Sequence, residues 1–355
     1  MTADELDELM NGMESTLKVS YSLSVVCVVL SFIASLVGAA FLCSVCYGRR
    51  KKLVPSKPAV FLIHRAIADL TTNGCVVAIG FCFLLSKSSA EDADGASFSN
   101  LLMAVLFCFL YGSVIDSVVT YSGLCRLKLV AVVWPLYYRT NVTTARCLTF
   151  IAGAWTVCLV VASGALYSMV RHISTFRMGP VLCYDSERCV EEYKVKLRVM
   201  AGFFGLAYLS VFGAFGVTCV VVALHRARNR RNRSRSGRDG RRRFHWRIFG
   251  SILNFAVGYL PFLAFFAKFA LALRTCEITN DYRAVFLAYP VAILFIVLKN
   301  LLDPVIDFAL DRRLRAAALQ LLSTVKRSRS SFSVLYDGSE ARYCSSVSRN
   351  MYTEV

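Results

Sequence analysis

The sequence predicts an all-α membrane protein, a bundle of seven transmembrane helices followed by a short amphipathic interfacial helix. Three observations carry that expectation. Hydrophobic residues fill 56% of the 355 positions and the mean hydropathy is +0.54, more apolar matter than one soluble core can bury. Seven separate apolar windows each approach or exceed the ~20 residues that a helix needs to cross the hydrocarbon layer. The net charge of +18 lies largely in the short connections between those windows, which points to a membrane rather than to nucleic acid.

The windows run over 20–47, 58–85, 101–133, 147–170, 199–224, 248–273 and 284–310. In lipid every backbone donor and acceptor has to be satisfied inside the segment, and helical lengths without apolar–polar alternation exclude a barrel. Residues 1–19 precede them as an acidic segment with Asp4, Glu5, Asp7, Glu8 and Glu14, the reverse of a basic signal-peptide start. The first span is therefore expected to serve as the insertion signal of the bundle, 20–310. Within the bundle, the third inner loop, 225–247, carries eleven arginines. A nuclear-localisation or RNA-binding reading of that run weighs less than its place between two spans, where bases hold the chain to anionic lipid at ~1 kcal/mol each. Around Asp311, Leu310, Leu314, Ala317 and Leu321 fall at helical spacing, which predicts an interfacial helix over 311–325. Residues 326–355 form a Ser-rich tail expected to be disordered and cytoplasmic.

Orientation follows from counting bases. The segments 48–57, 134–146, 225–247 and 311–355 hold 26 Lys and Arg, against 10 in the N-terminus and the alternate loops. The N-terminus is thus expected outside. Of the 14 cysteines, Cys27, Cys43, Cys75, Cys82, Cys108, Cys158 and Cys219 fall inside apolar stretches, where they act as small hydrophobes.

Ionisable residues at membrane depth cost roughly 2.5–3.5 kcal/mol each on insertion scales and mark function by default. This chain places Arg65 and Asp69 in span 2, Asp116 and Lys128 in span 3, Lys268 in span 6, and Lys299, Asp303 and Asp307 in span 7. Arg65 and Asp69 stand four apart, as do Lys299, Asp303 and Asp307, so each helix carries a vertical ladder of charge on one face. Two readings stand open: a structural ion-pair cluster that fixes packing, or a bistable polar core whose pairs exchange as helices shift. No catalytic chemistry is expected. The chain has no nucleophile elbow, no phosphate-cradling loop and no metal-ligand spacing, its four histidines, His64, His172, His225 and His245, being scattered loop or interface residues. No cofactor and no metal is expected.

Several landmarks resemble the rhodopsin-like (class A) G-protein-coupled receptors, over about residues 20–325. Span 2 has AIADL with Asp69, and span 4 has Trp155. Span 6 has FAVGYLPF, similar to Phe-x-x-Cys-Trp-x-Pro with Phe255 and Pro261 retained, and span 7 has LLDPVIDF, similar to (Asn/Asp)-Pro-x-x-Tyr with Asp303 and Pro304 kept. The end of span 3, KLVAVVWPLYYRT, resembles the Arg-Tyr-x-Ala-x-x-x-Pro-Leu stretch. The resemblance implies a multi-pass plasma-membrane receptor that couples an outside ligand to heterotrimeric G proteins and arrestin. In motif detail it is closest to the nucleotide- and lipid-receptor branch.

The departures are as informative. Leu127-Lys128-Leu129 stands where the family has Asp/Glu-Arg-Tyr, and lysine lacks the planar guanidinium fork, so coupling is expected to be gated differently. Tyr259 replaces the span 6 Trp and Asp307 the span 7 Tyr; span 5 has no proline, and Gly38-Ala39 replaces Gly-Asn. The family holds a sodium ion at positions that are here Asp69, Ser117, Lys299 and Asp303, which implies that the Lys299 ammonium takes the ion's role. Arg65 lies a turn inward of Asp69, at a depth that suits a pair with Asp307. The family's disulfide from the top of span 3 falls here on Met103 and cannot form. Cys183, Cys189 and Cys276 remain in the outer loops, with Cys183–Cys189 the favoured pair among three.

Ligand chemistry stays open between a basic peptide drawn to the acidic N-terminus and an anionic small molecule or lipid acid met by Lys268, Arg274 and Arg283. The end Tyr352-Thr353-Glu354-Val355 resembles a PDZ-domain ligand through Thr353 and the Val355 carboxylate. Ser328, Ser330 and Ser331 follow arginines as phosphorylation sites of the arrestin-recruiting kind. Cys344 is a weak palmitoylation candidate, and the sequons at Asn141 and Asn232 fall on the inner side and should stay bare. Two other classes compete: a secondary transporter, which the intramembrane charges suit but the absence of a repeat between halves does not, and a non-signalling scaffold or decoy relative.

Overall fold

The computed structural model of the chain describes residues 3–86, 93–176, 238–271 and 282–324, with residues 198, 202, 205–206, 208–218, 220–221 and 224. Among the described residues the regular structure is helical and no strand occurs. Helix α1 runs Ala3–Arg50, α2 Ser56–Ser86, α3 Ala93–Val133, α4 Pro135–Thr140 and α5 Thr144–Phe176. The chain continues through α6, Tyr208–Thr218, α7, Arg238–Leu271, α8, Tyr282–Leu310, and α9 over 312–324. The described residues of each of the seven apolar windows fall on helix, the fifth being described in part through α6 and the sixth up to Leu271. Ser15–Arg50, Ser56–Cys82 and Leu101–Ala131 are each long and apolar enough on their own to cross a bilayer.

Local chemistry sets the breaks. At the end of α1, Lys52 adopts φ 57, Leu53 N–H donates to the Gly48 carbonyl at 2.8 Å and Lys52 N–H to the Arg49 carbonyl at 3.1 Å, the paired bonds of a Schellman stop. Gly48 permits that turn to fold back, because a Cβ there would lie 2.9 Å from Val54 Cγ2. Trp134 leaves the helix (φ −126, ψ 71) because it precedes Pro135, which then fills the first position of α4. Asp311 caps α9, its Oδ1 accepting from the Arg313 N–H at 2.9 Å.

Helix α1 packs on α2 and α8, α2 on α3, α3 on α5, and α7 on α8. The main apolar cluster joins Leu110, Val114 and Val118 of α3 to Phe255 and Phe262 of α7 and Ile296 and Val297 of α8. At one end of the bundle, Leu314 of α9 seats among Phe41, Val45, Val54 and Leu62. The distribution of polarity is the reverse of a water-soluble protein. Val25, Val29, Phe32 and Leu36 of α1 and Leu253, Val257 and Leu260 of α7 face outward, while Arg65, Asp69, Lys299, Asp303 and Asp307 are buried. An apolar exterior around an ionic interior is stable only where the exterior meets lipid.

Candidate functional site

Three helices bring the ionic interior together because each repeats polar residues every four positions. Helix α2 supplies Arg65, Asp69 and Asn73, α3 supplies Ser113, Ser117 and Tyr121, and α8 supplies Lys299, Asp303 and Asp307. The five charged members are each 6% exposed or less. At the centre, Lys299 Nζ donates to Asp69 Oδ1 at 2.9 Å and lies 3.1 Å from Asp303 Oδ2, while Ser117 donates to Asp69 Oδ1 at 2.9 Å. The ammonium also sits 5.1 Å from the ring centres of both Tyr121 and Tyr259, within cation–π range.

One turn nearer α9, Arg65 pairs with Asp307, and its guanidinium lies 5.8 Å from the Phe41 ring and 5.4 Å from the Tyr121 ring. Tyr121 stands between the two ion pairs. It donates its hydroxyl to Asp303 while its ring faces both cations. Asn254 of α7 closes the set, donating to Asp303 Oδ1 at 2.8 Å and to the Lys299 carbonyl at 3.1 Å. On the side of the core away from α9, Asn300 donates to Asn73 Oδ1 at 2.9 Å. The i,i+4 ladders thus pair mainly across helices: Lys299 joins Asp303 within α8, whereas Arg65 and Asp69 each bond a residue of α8.

Beneath this core, on the side of α4 and α9, lies a cavity of about 420 Å³ lined by Arg65, Tyr121, Lys128, Asp307, Asp311 and Arg313 among apolar walls. The core and the cavity share Arg65, Tyr121 and Asp307, so a change in the ion pairs alters the cavity directly. Lys128 is half-buried at its wall. Phe255 and Tyr259 of α7 are fully buried, with Phe255 4.8 Å from the Tyr121 ring centre and 5.1 Å from that of Tyr259. Pro261 lies within α7, and Pro304 within α8 immediately after Asp303.

A second polar group joins α2, α3 and α5. His64 Nδ1 is 2.8 Å from Thr120 Oγ1, its Nε2 is 3.3 Å from Asp116 Oδ2, and Trp155 meets the imidazole edge-on at 5.9 Å. Lys268 is exposed on α7, and Arg283 belongs to α8. Arg274, Cys183, Cys189, Ser328, Ser330, Ser331, Thr353 and Val355 lie outside the described residues.

Sequence reasoning missed Tyr121, Asn254, Asn73, Asn300 and the His64–Asp116 contact. For Tyr121 the signal was its place four residues after Ser117, and for Asn254 its being the polar residue of an otherwise apolar run. It also missed Gly258, where a Cβ would come within 2.4 Å of Lys299 Cβ, so that only glycine lets the lysine stem pass α7.

A family pattern described as 7 transmembrane receptor (rhodopsin family) matches residues 38–306, and every member of the ionic core except Asp307 lies within that span. The chain belongs to the rhodopsin family of seven-transmembrane receptors. It is a membrane protein of the cell-surface receptor type. No curated sequence compared with the receptor singly matches it. The sodium ion implied by the family does not suit the residues this receptor has: a cationic nitrogen already contacts both Asp69 and Asp303.

Proposed function

We propose that this receptor transduces an extracellular ligand to intracellular G proteins by exchanging partners within its ionic core. The observation that supports this is the sharing of Arg65, Tyr121 and Asp307 between the core and the 420 Å³ inner cavity. A ligand that shifts α7 or α8 displaces Lys299, Asn254 and Asp303 together, since these are bonded across the two helices. Tyr121 then passes the shift to Arg65, and release of Asp307 by Arg65 opens the cavity to a partner. Lys128 takes the part that an arginine has in the family and meets that partner as a point charge. Exposed Trp134 at the start of α4, with Leu136 and Tyr137 within it, supplies an apolar surface next to it.

The N-terminus lies outside and the arginine-rich connector in the cytosol. Lys268, Arg274 and Arg283 at the outer end meet an anionic small molecule or lipid acid, with a basic peptide at the acidic N-terminus as the other ligand class. The tail recruits arrestin once Ser328, Ser330 and Ser331 are phosphorylated, and Thr353 and Val355 dock a PDZ scaffold. The receptor sits in the plasma membrane.

The test is constitutive cAMP and calcium signalling of the native receptor beside Lys128→Arg. Native signalling that Lys128→Arg strengthens supports the proposal. A silent native receptor that gains signalling only through Lys128→Arg makes it a scaffold or decoy, and substrate uptake or current without second-messenger change makes it a transporter.

A further inference from the structure

Lys299 is held more completely than an ion pair requires. Its Nζ donates to Asp69 Oδ1 at 2.9 Å and to Asn300 Oδ1 at 3.2 Å, lies 3.1 Å from Asp303 Oδ2, and has a tyrosine ring 5.1 Å away on each of two sides. The carboxylates it meets are themselves occupied. Asp303 accepts from Asn254 at one oxygen and from Tyr121 at the other, and Asp69 Oδ1 accepts from Ser117 as well. Hard cations such as sodium need several free oxygens converging on one point, and a fixed ammonium among those oxygens both fills the point and repels a second cation. The stem leading to the ammonium is equally committed, since it crosses α7 at Gly258 with no room for a Cβ.

We infer that the Lys299 ammonium permanently fills the position that a sodium ion takes in the family, so that this receptor binds no sodium in its core and its state does not respond to sodium concentration. The charge is carried by α8 through a covalent stem. A dissociable ion can leave when helices rearrange; this one has to move with α8, which ties the position of the positive charge to the position of that helix. The inference rests on the proposed function only in taking the ionic core as the element that changes state, and its test needs no G protein, so either can fail alone.

The experiment is thermal unfolding of the purified full-length receptor in sodium chloride and in choline chloride at equal ionic strength. The native receptor is expected to melt at the same temperature in both salts. Lys299→Asn, which removes the ammonium and adds a neutral oxygen, is expected to melt higher in sodium, its folding constant rising about tenfold for each tenfold rise in sodium above the dissociation constant. A sodium-specific rise in the native receptor overturns the inference, as does a Lys299→Asn protein that is indifferent to sodium. Should Lys299→Asn give no folded protein, equilibrium binding of radioactive sodium to the native receptor decides: saturable binding overturns the inference and its absence upholds it.

Discussion

Breaking the Arg65–Asp307 pair tests the half of the core next to the cavity most directly. Both side chains are almost fully buried, at 3% and 4% exposure, so removing one partner leaves the other charge without it in a low-dielectric interior. Such a loss costs about 3–5 kcal/mol. The two single variants should differ in a defined way. Asp307→Asn removes the charge but keeps the shape, and Arg65 retains the Phe41 and Tyr121 rings 5.8 and 5.4 Å away as residual support. Arg65→Met leaves Asp307 without its guanidinium and also removes the cation from both rings, each such contact being worth ~0.5–2 kcal/mol, so it should be the more damaging of the two. Melting temperature of purified receptor and surface expression measure both. The double variant Arg65→Met/Asp307→Asn then restores neutrality. It should recover at least ~1 kcal/mol relative to the sum of the singles. Additive losses, with a coupling below about 0.5 kcal/mol, refute the pairing and the switch built on it.

Three further outcomes follow from particular contacts. Gly258→Ala should lower the melting temperature sharply and disturb the core, because its Cβ meets Lys299 Cβ at 2.4 Å, whereas Gly74→Ala, with nothing within 4 Å, should be neutral or raise stability by up to ~1 kcal/mol through helix propensity; equal effects in the two melting curves argue against the close passage. Tyr121→Phe keeps the ring that faces Arg65 and Lys299 but removes the hydroxyl that Asp303 accepts, for an expected loss of ~1.5–3 kcal/mol and altered constitutive signalling; unchanged stability would show that Asp303 does not depend on that donor. Asn141 lies just past α4, on the same side as the inner cavity, and should carry no glycan in cells, so a mass shift on glycosidase treatment that Asn141→Gln abolishes would invert the orientation proposed for the bundle.

The seven windows were legible because lipid imposes a constraint that a sequence expresses directly: about twenty apolar residues per crossing, bounded by bases or prolines. Arg49 and Arg50 at the end of α1 and Pro135 after Trp134 mark those bounds in the chain and in the structure alike. The ladders of charge were legible for the same reason, since an ion at membrane depth stands out against its neighbours. Their partners were less so. Spacing alone places Arg65 and Asp69 on one face of α2 without saying whether they bond each other or reach across; only depth and the resemblance pointed to Asp307 and Lys299, and in the structure both bond α8. Tyr121 and Asn254 escaped notice because neither is ionised, although each holds two parts of the core together. Gly258 escaped because the need for it arises only when Lys299 of another helix passes within reach. His64 was read as scattered when its partner, Asp116, lay 52 residues on; no local pattern links them.

The departures from the family pattern are easier to understand together than singly. A lysine at 299 without acids at 69 and 303 would be a buried ammonium without its carboxylates, and an aspartate at 307 without Arg65 would lose its guanidinium; either alone is costly enough to threaten insertion. In the structure each cation added to the core faces an acid on a neighbouring helix, and Tyr259 presents its ring to the Lys299 ammonium where the family has an indole. The core therefore departs from the family pattern as a set, holding three tethered charges, Lys299, Arg65 and Asp307, that are paired across helices. Tethered charges bind helices α2 and α8 more rigidly than neutral contacts do. In the proposed mechanism, opening the cavity requires Arg65 and Asp307 to separate or move as one, so weakening this pair should shift the receptor toward the proposed open form even as it lowers overall stability.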